Sequence, residues 1–190
     1  MNADARTLRT VPEAPTVWFT GLSGAGKTTI ARAVAAFLAN DGLAHTLLDG
    51  DELRATLSAD LDFTREGRAE QVRRVGHLAG ILGDAGVIPL VALVSPFRSD
   101  RDAVRALHAP GRFIEVHVAT PLEVCVQRDL KGLYAHSVAR SAAGEDDLLT
   151  GVGQEYEAPS DPELVLDGGR EGRVDELARR VWDHIRLRAT

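Results

Sequence analysis

The segment TGLSGAGKTT, residues 20–29, combines glycines, a lysine and hydroxyl side chains at spacings that suit phosphate binding. Gly21, Gly26, Lys27 and Thr28 satisfy the pattern G-x-x-x-x-G-K-[ST] between a predicted strand and a predicted helix. Glycines let the backbone curl so that successive amide groups point at phosphate oxygens, and the helix N-terminus adds partial positive charge. The lysine then spans the outer phosphates of ATP, and the threonine hydroxyl faces Mg²⁺. The residues expected to contact the nucleotide are Gly21, Ser23, Gly24, Ala25, Gly26, Lys27, Thr28 and Thr29.

A triphosphate site occurs in several classes of protein, and other features narrow the choice. Switch GTPases read guanine with an N-K-x-D run, which this sequence lacks. Large ATPase motors need more chain than 190 residues. The class that remains is a small phosphotransferase, which also needs an acceptor site and a group that handles the proton of the acceptor hydroxyl.

Two aspartates lie where the second predicted strand ends, in the run LLDGDELR. Asp49 and Asp51 are expected at the carboxyl edge of a parallel sheet, which is where such sheets bind ligands. One carboxylate would orient a water on Mg²⁺, and the other would accept or orient the acceptor hydroxyl. The alternative is that both acids only cap the next helix, because D-G-D is a common turn composition.

The third predicted strand also ends beside the site, in the run VSPFRSDRD, which supplies Ser95, Pro96 and Phe97. Arginines next to a sheet edge can clamp an anionic acceptor. Taken alone, Arg101 and Arg105 are equally typical of a solvated helix face.

Composition indicates one compact domain and excludes several partners. The 190 residues are 44% hydrophobic, enough for one sizeable core. The formal charge is -6 and the basic residues are scattered, so a nucleic-acid partner is not expected. A single cysteine, Cys125, is typical of proteins of the reducing cytoplasm. The six histidines do not lie at metal-ligand spacing with it or with each other, so no metal cluster is expected. The longest apolar run, VIPLVALV, is too short to cross a bilayer.

Apolar runs alternate with segments of helical period, which predicts an α/β protein with a mostly five-stranded parallel sheet and helices on both faces. Together with the phosphate-loop motif, this predicts a P-loop NTPase three-layer fold with a lid. The predicted strands are residues 16–21, 44–49, 87–94, 112–118 and 163–167. A long helix is predicted over 65–86.

Three further segments carry local predictions. Residues 1–15 are expected to be a disordered leader before a single kinase domain over 16–190. Capping boxes are predicted at Ser99 and at Thr120. The polar, glycine-containing stretch 129–162 is too long for an ordinary connection, so it is either a mobile cover over the site or a floppy insertion.

The motifs together resemble one family. GLSGAGKTT, LLDGDELR, VSPFRSDRD, IEVHVATPLEVCVQRD, KGLY and YEAPSDPELVLD follow in order from about Thr16 to about Asp167. This order is similar to that of the adenylylsulfate kinases (APS kinases) of the P-loop kinase superfamily. The resemblance implies transfer of the ATP γ-phosphoryl group to the 3′-hydroxyl of adenosine 5′-phosphosulfate (APS), a step of sulfate assimilation that gives the doubly phosphorylated sulfate donor PAPS.

The resemblance also implies roles for individual residues. Asp51 would be the acid nearest the acceptor hydroxyl, and Asp49 would lie close to the metal with Thr28. Ser95 matches a serine named in the family as a phosphoenzyme intermediate, a step that direct in-line transfer makes unnecessary. Family members are commonly dimers, so a homodimer is expected. The residues that would bind the substrate or close over it are Arg54, Phe63, Arg68, Gln71, Pro96, Phe97, Arg128, Lys131, Gly132 and Leu149.

Departures from the family pattern gather on the acceptor side. Glu52 and Gln71 stand where the family has asparagines, and Ala135 and His136 follow KGLY in place of two lysines. The positions that depart within the lid are Asp147, in place of a lysine, and Leu149, in place of the phenylalanine that would complete an adenine sandwich.

These departures leave three hypotheses open. The chain is an APS kinase with rearranged lid contacts, a kinase of the same fold for another hydroxylated metabolite, or a catalytically silent nucleotide-binding module. The presence of Lys27, Thr28, Asp49 and Asp51 argues against the third.

Overall fold

The sheet is parallel throughout and brings three strand ends together at the phosphate loop. The computed structural model describes residues 8–129, 132–142, 149–169 and 174–188. The strand order is β2-β3-β1-β4-β5, with β1 in the centre. All five predicted strands are confirmed to within two residues at each end: β1 (Thr16–Thr20), β2 (His45–Asp49), β3 (Ile88–Ala92), β4 (Phe113–Val118) and β5 (Leu164–Leu166).

Helices cover both faces of the sheet, as predicted. Alternation along β1 sends Val17 and Phe19 to one core and Trp18 to the other. The first core packs under α1 and α7, and the second packs under α3 and α4. The helices are α1 (Lys27–Asn40), α2 (Gly50–Arg54), α3 (Arg65–Asp84), α4 (Arg98–Arg105), α5 (Leu122–Arg128), α6 (Leu133–Ala142) and α7 (Val174–Arg186). None of the helices in the described ranges has the length and apolar composition that crossing a bilayer requires.

The start of the chain differs from the prediction. The expected disordered leader is wrong for residues 8–15, because their backbone pairs with turns of the domain. Arg9 N donates to Gly42 O at 2.7 Å, and Val11 N donates to Gly86 O at 2.9 Å. Val11 is buried. The polar composition concealed this apolar anchor, and residues 1–7 lie outside the described residues.

Both predicted capping boxes are wrong, because neither Ser99 nor Thr120 is the N-cap of its helix. Helix α4 begins at Arg98 rather than after Ser99, and the Glu157 carboxylate accepts the Arg98 N–H at 2.7 Å. Helix α5 begins after Pro121, while the Thr120 hydroxyl turns away and donates to Ala25 O at 2.7 Å.

Candidate active site

A cavity of about 230 Å³ lies at the carboxyl edge of the sheet, between the phosphate loop, α2 and the residues that follow β3. It brings together most of the predicted site residues. Those that line it are Ser23, Gly24, Gly26, Lys27, Thr28, Thr29, Asp49, Asp51, Arg54, Phe63, Arg68, Gln71, Ser95 and Pro96.

The phosphate loop has the backbone that its glycines predict. Gly24 and Gly26 have φ of 74° and 100°, a left-handed region that side chains with a Cβ rarely adopt. Gly26 is the N-cap of α1, so the helix N-terminus opens onto the cavity. Lys27 is buried, and its Nζ donates to Gly21 O at 2.9 Å and to Leu22 O at 2.7 Å. The lysine thus lies folded within the loop, where phosphate oxygens would meet it.

Asp49 joins the phosphate loop to α2. Its Oδ2 accepts the Thr28 hydroxyl at 2.7 Å, and its Oδ1 accepts the Asp51 N–H at 2.9 Å as the N-cap of α2. The capping interpretation is therefore confirmed for Asp49 Oδ1, while Oδ2 faces the phosphate loop and its role toward Mg²⁺ stays a prediction. Asp51 lies in the first turn of α2 with an exposed side chain that lines the cavity.

Gln71 holds the turn between these acids. Its side chain is 6% exposed, and its Nε2 donates to Gly50 O at 3.1 Å. The residue that departs from the family asparagine therefore fixes the peptide that separates the two aspartates.

Two guanidinium groups flank an exposed aromatic ring on the far side of the cavity. Phe63 is 51% exposed, and its ring centre lies 4.2 Å from the Arg54 Cζ and 5.4 Å from the Arg68 Cζ. Arg54 Nη1 donates to Asp62 O at 2.8 Å, while its Nη2 is buried with no hydrogen-bond partner among the described residues. Burial lowers the pKa of Arg54, and burial together with the Arg54 charge lowers the pKa of Arg68 to about 10. Two neighbouring guanidinium charges that are partly removed from water suit the binding of an anionic ligand, because the anion would offset their desolvation and mutual repulsion.

Ser95 lies at the end of β3 with its hydroxyl facing inward. It is 2% exposed with φ of 39°, and its Oγ accepts the Trp18 Nε1–H at 3.0 Å. Its carbonyl accepts Arg101 Nη1 at 2.7 Å. The Ser95 hydroxyl is therefore buried and bonded to the Trp18 indole. This environment favours a role in supporting the site and does not favour a phosphoserine intermediate.

The solvated-face interpretation of Arg101 and Arg105 is wrong. Arg101 is 1% exposed, and its Nε contacts Glu115 Oε1 at 2.7 Å. Arg105 pairs with Glu163 at 2.6 Å and with Glu115 at 3.2 Å. Arg101 Nη2 also donates to Glu157 O at 2.7 Å, which ties the last part of the predicted lid segment to the loop that holds Ser95. Sequence reasoning missed this supporting role, although SDRD was part of the discriminating motif.

Several predicted site residues are not brought into the cavity. The Phe97 ring packs under Arg65, with 3.8 Å between its centre and the Arg65 Cζ. Arg128 donates to Gly168 O at 2.9 Å. Three other kinds of position lie outside the cavity lining: Gly21 and Ala25 within the phosphate loop, Gly132 with φ of 65° directly before α6, and Leu149 against the first core. Lys131 lies outside the described residues.

Comparison with known proteins agrees with this geometry. The family model described as adenylylsulphate kinase matches residues 13–167. The adenylyl-sulfate kinase of Shewanella amazonensis is 51% identical over 169 residues, which is 89% of this chain and 83% of that protein. The adenylyl-sulfate kinase of Vibrio vulnificus is 47% identical over 172 residues, which is 90% of this chain and 81% of that protein.

Solved structures extend the comparison to the fold. The Mycobacterium tuberculosis APS kinase CysC, in complex with AMPPNP and APS, superposes with a TM-score of 0.83 at 42% identity, covering 92% of this chain and 99% of that one. A Sinorhizobium meliloti gluconokinase, with a TM-score of 0.57 at 19% identity over 95% of each chain, shares the fold alone. Because the family model spans residues 13–167 and relatives at 47% to 51% identity cover about nine tenths of the chain, this chain belongs to the adenylylsulphate kinase family.

Proposed function

We propose that this chain transfers the γ-phosphoryl group of ATP to the 3′-hydroxyl of adenosine 5′-phosphosulfate and releases PAPS. The observation that carries the proposal is the position of Arg54, Phe63 and Arg68. They offer an aromatic face and two cations in the same cavity as the phosphate loop. An adenine linked to a phosphosulfate needs both features.

The donor half fits magnesium-bound ATP. The Thr28 hydroxyl and the Asp49 carboxylate, 2.7 Å apart, are hard oxygen donors beside the loop. No cluster of three ligating side chains occurs among the described residues, but Mg²⁺ needs only one or two protein ligands because water and phosphates complete its shell. Bound there, the ion would neutralise charge that develops on the phosphates.

The chain's own residues would do the remaining work of an in-line transfer. Lys27 places a fixed cation at the outer phosphates, where charge builds up in the transition state. Asp51, on the first turn of α2, accepts or orients the acceptor proton. Gln71 keeps the Asp49–Asp51 turn in place through Gly50 O.

The acceptor would lie between Phe63 and the end of β3. Adenine stacks on the exposed Phe63 ring, and the unpaired Nη2 of Arg54 supplies a donor to the phosphosulfate. We infer that Pro96 bounds this side, with Phe97 behind it against Arg65. We also infer that residues 129–162 close over the nucleotides as a lid, with Arg128 directly before it and Lys131, Gly132 and Leu149 within it. We further infer a homodimer and a cytoplasmic location, the latter because the one cysteine, Cys125, is a buried free thiol.

One observation favours a second candidate, a different hydroxylated acceptor. Leu149 takes the place of the second aromatic face and packs on the first core, so Phe63 keeps an open face toward the cavity. An acceptor without a purine would lose less from this change than one with adenine.

Acceptor preference distinguishes the two candidates. Steady-state ADP release would be followed with MgATP and, in turn, APS, adenosine 5′-phosphate, gluconate and shikimate, with Lys27→Ala protein as the background. We expect the highest kcat/KM with APS. No turnover with APS above that background, alongside turnover with another acceptor, would overturn the first candidate and support the second.

A further inference from the structure

Two hydroxyl groups contact the phosphate loop from outside the cavity. The Tyr134 hydroxyl donates to Ser23 O at 2.9 Å, and the Thr120 hydroxyl donates to Ala25 O at 2.7 Å. Both residues are almost fully buried, at 3% and 5% exposure. Neither belongs to the loop motif, and both lie about a hundred residues further along the chain.

We propose that Tyr134 and Thr120 are positioning residues that hold the phosphate loop in its binding conformation, and that Tyr134 makes phosphate affinity depend on the docking of α6. The proposal rests on the proposed function only in requiring that the loop binds nucleotide.

The first step follows from the planarity of the peptide bond. In a trans peptide the C=O and the next N–H point in opposite directions. Because Ser23 O points outward to Tyr134, the Gly24 N–H is directed toward the opposite side, and Ala25 O fixes the Gly26 N–H in the same way. Gly24 and Gly26 both line the cavity, so these are amide groups that phosphate oxygens would meet.

Glycine makes such a restraint necessary. Gly24 and Gly26 have positive φ, and a residue without a Cβ also populates other regions of the backbone map at little cost. A loop free to rotate these two peptides would spend binding energy on ordering them. Two buried hydrogen bonds that exist before the ligand arrives reduce that loss.

Tyr134 also connects the phosphate loop to α6. It lies in the first turn of α6, where the Asp129 carboxylate accepts the Tyr134 N–H at 3.1 Å and the Ala135 N–H at 3.0 Å. These bonds fix the start of α6 to the end of α5. The position of α6 therefore decides whether the hydroxyl reaches Ser23.

The test compares two tyrosines that each lose one buried hydroxyl. Tyr134→Phe removes the bond to Ser23, and Tyr156→Phe removes a bond of 3.0 Å to the Thr20 side chain and leaves the loop carbonyls untouched. Calorimetric titration would give the Kd of each full-length variant for MgADP and for APS, alongside its melting temperature. We expect Tyr134→Phe to weaken MgADP about five- to tenfold, the worth of one hydrogen bond, with the Kd for APS unchanged. Tyr156→Phe should keep the Kd for MgADP within about twofold of the wild-type value, although its melting temperature should fall about as much as that of Tyr134→Phe.

Thr120 provides a second, independent variant pair. Thr120→Val keeps the shape and removes the hydroxyl, so it should weaken MgADP to a similar extent, and Thr120→Ser should restore the affinity. This pair decides the matter if Tyr134→Phe fails to fold.

Three outcomes would overturn the inference. Equal weakening by both tyrosine variants, or a Kd for MgADP unchanged in Tyr134→Phe and Thr120→Val, would leave these hydroxyls a structural role only. If either of these two results is found and the wild-type protein phosphorylates APS, the inference fails and the proposed function still stands. Wild-type protein that binds no MgADP would overturn both.

Discussion

Asp49 shows how one side chain serves both the fold and the chemistry. One oxygen caps α2 and the other accepts the Thr28 hydroxyl, so any substitution disturbs the helix and the proposed magnesium site together. Asp51 is exposed and contributes only its backbone N–H to this cap, so a change of its side chain leaves the cap in place. At the scale of the residue, the proposed chemistry is therefore tested at Lys27 and Asp51 rather than at Asp49.

Lys27→Ala should reduce kcat/KM for phosphoryl transfer by at least about a hundredfold, because the developing charge loses its nearest fixed cation. Steady-state kinetics with APS would measure the loss, and the melting temperature would show whether the loop carbonyls of Gly21 and Leu22 tolerate the change. Retention of more than about a tenth of the wild-type rate contradicts the assigned role.

Asp51→Asn should lower kcat about a hundredfold or more while the Kd for MgADP stays within about threefold, because it removes a proton acceptor and no phosphate contact. Glu52→Gln is the matched control. Its carboxylate is exposed and lies 3.9 Å from Arg32, so we expect near wild-type kinetics. Equal losses of turnover and MgADP affinity in Asp51→Asn would instead assign Asp51 to the metal or to folding.

At the scale of the element, α3 connects the acceptor side to the core. Val72, Val75 and Ala79 pack on the sheet, and a Cβ added at Gly76 would lie 2.6 Å from a Val104 methyl group of α4. The helix begins after Thr64, whose Oγ accepts the Gly67 N–H at 3.1 Å. The cap therefore also fixes the turn that carries Phe63.

Thr64→Ala should destabilise the fold by about 1 kcal/mol, the usual worth of a hydroxyl N-cap, and should raise the KM for APS more than that for ATP. Urea unfolding and initial-rate kinetics would measure the two effects. Thr64→Ser keeps the cap and should leave both near wild type. A change in stability without any shift of the KM for APS would separate the cap from the acceptor site.

Local sequence rules predicted elements well and their ends less well. The periodicity of α3 and the apolar runs of the five strands are local properties, and the structure confirms them. The predicted caps at Ser99 and Thr120 failed because the Arg98 N–H bonds Glu157, 59 residues away, and the Thr120 hydroxyl bonds Ala25, 95 residues away. Spacing rules contain no information about such partners.

At the scale of the whole molecule, buried and partly buried charges join α4 to the β4–β5 side of the sheet. Arg101, Glu115, Arg105 and Glu163 form one connected set of ion pairs between α4, β4 and the chain before β5. Apolar runs were enough to predict the five strands, and the phosphate-loop motif was enough to predict where the loop lies. The supports of that site, Arg101 and Tyr134, could not be predicted, because their partners meet only in the folded chain.

Stability should fall as the pH drops from 7.5 to 5.5. Burial lowers the pKa of His108, which packs on Phe113 and bonds Thr16 at 3.0 Å, so the unfolded chain takes up the proton first. The loss begins near the ordinary histidine value of about 6.5 and continues down to the lower folded pKa. Urea unfolding at both pH values would measure it. His108→Gln should show a smaller difference between the two pH values, and a difference equal to that of the wild type would exclude His108 as its source.

Phosphorus NMR of the wild-type chain mixed with MgATP and APS would report where the γ-phosphoryl group goes. We expect the γ-phosphorus resonance of ATP to disappear while the resonances of ADP and of a new phosphate monoester appear in equal amounts. The monoester phosphorus should couple to the ribose 3′ proton, and the phosphosulfate signal should be retained. ATP converted to ADP and inorganic phosphate without that ester, or an ester at another position, would contradict the proposed transfer.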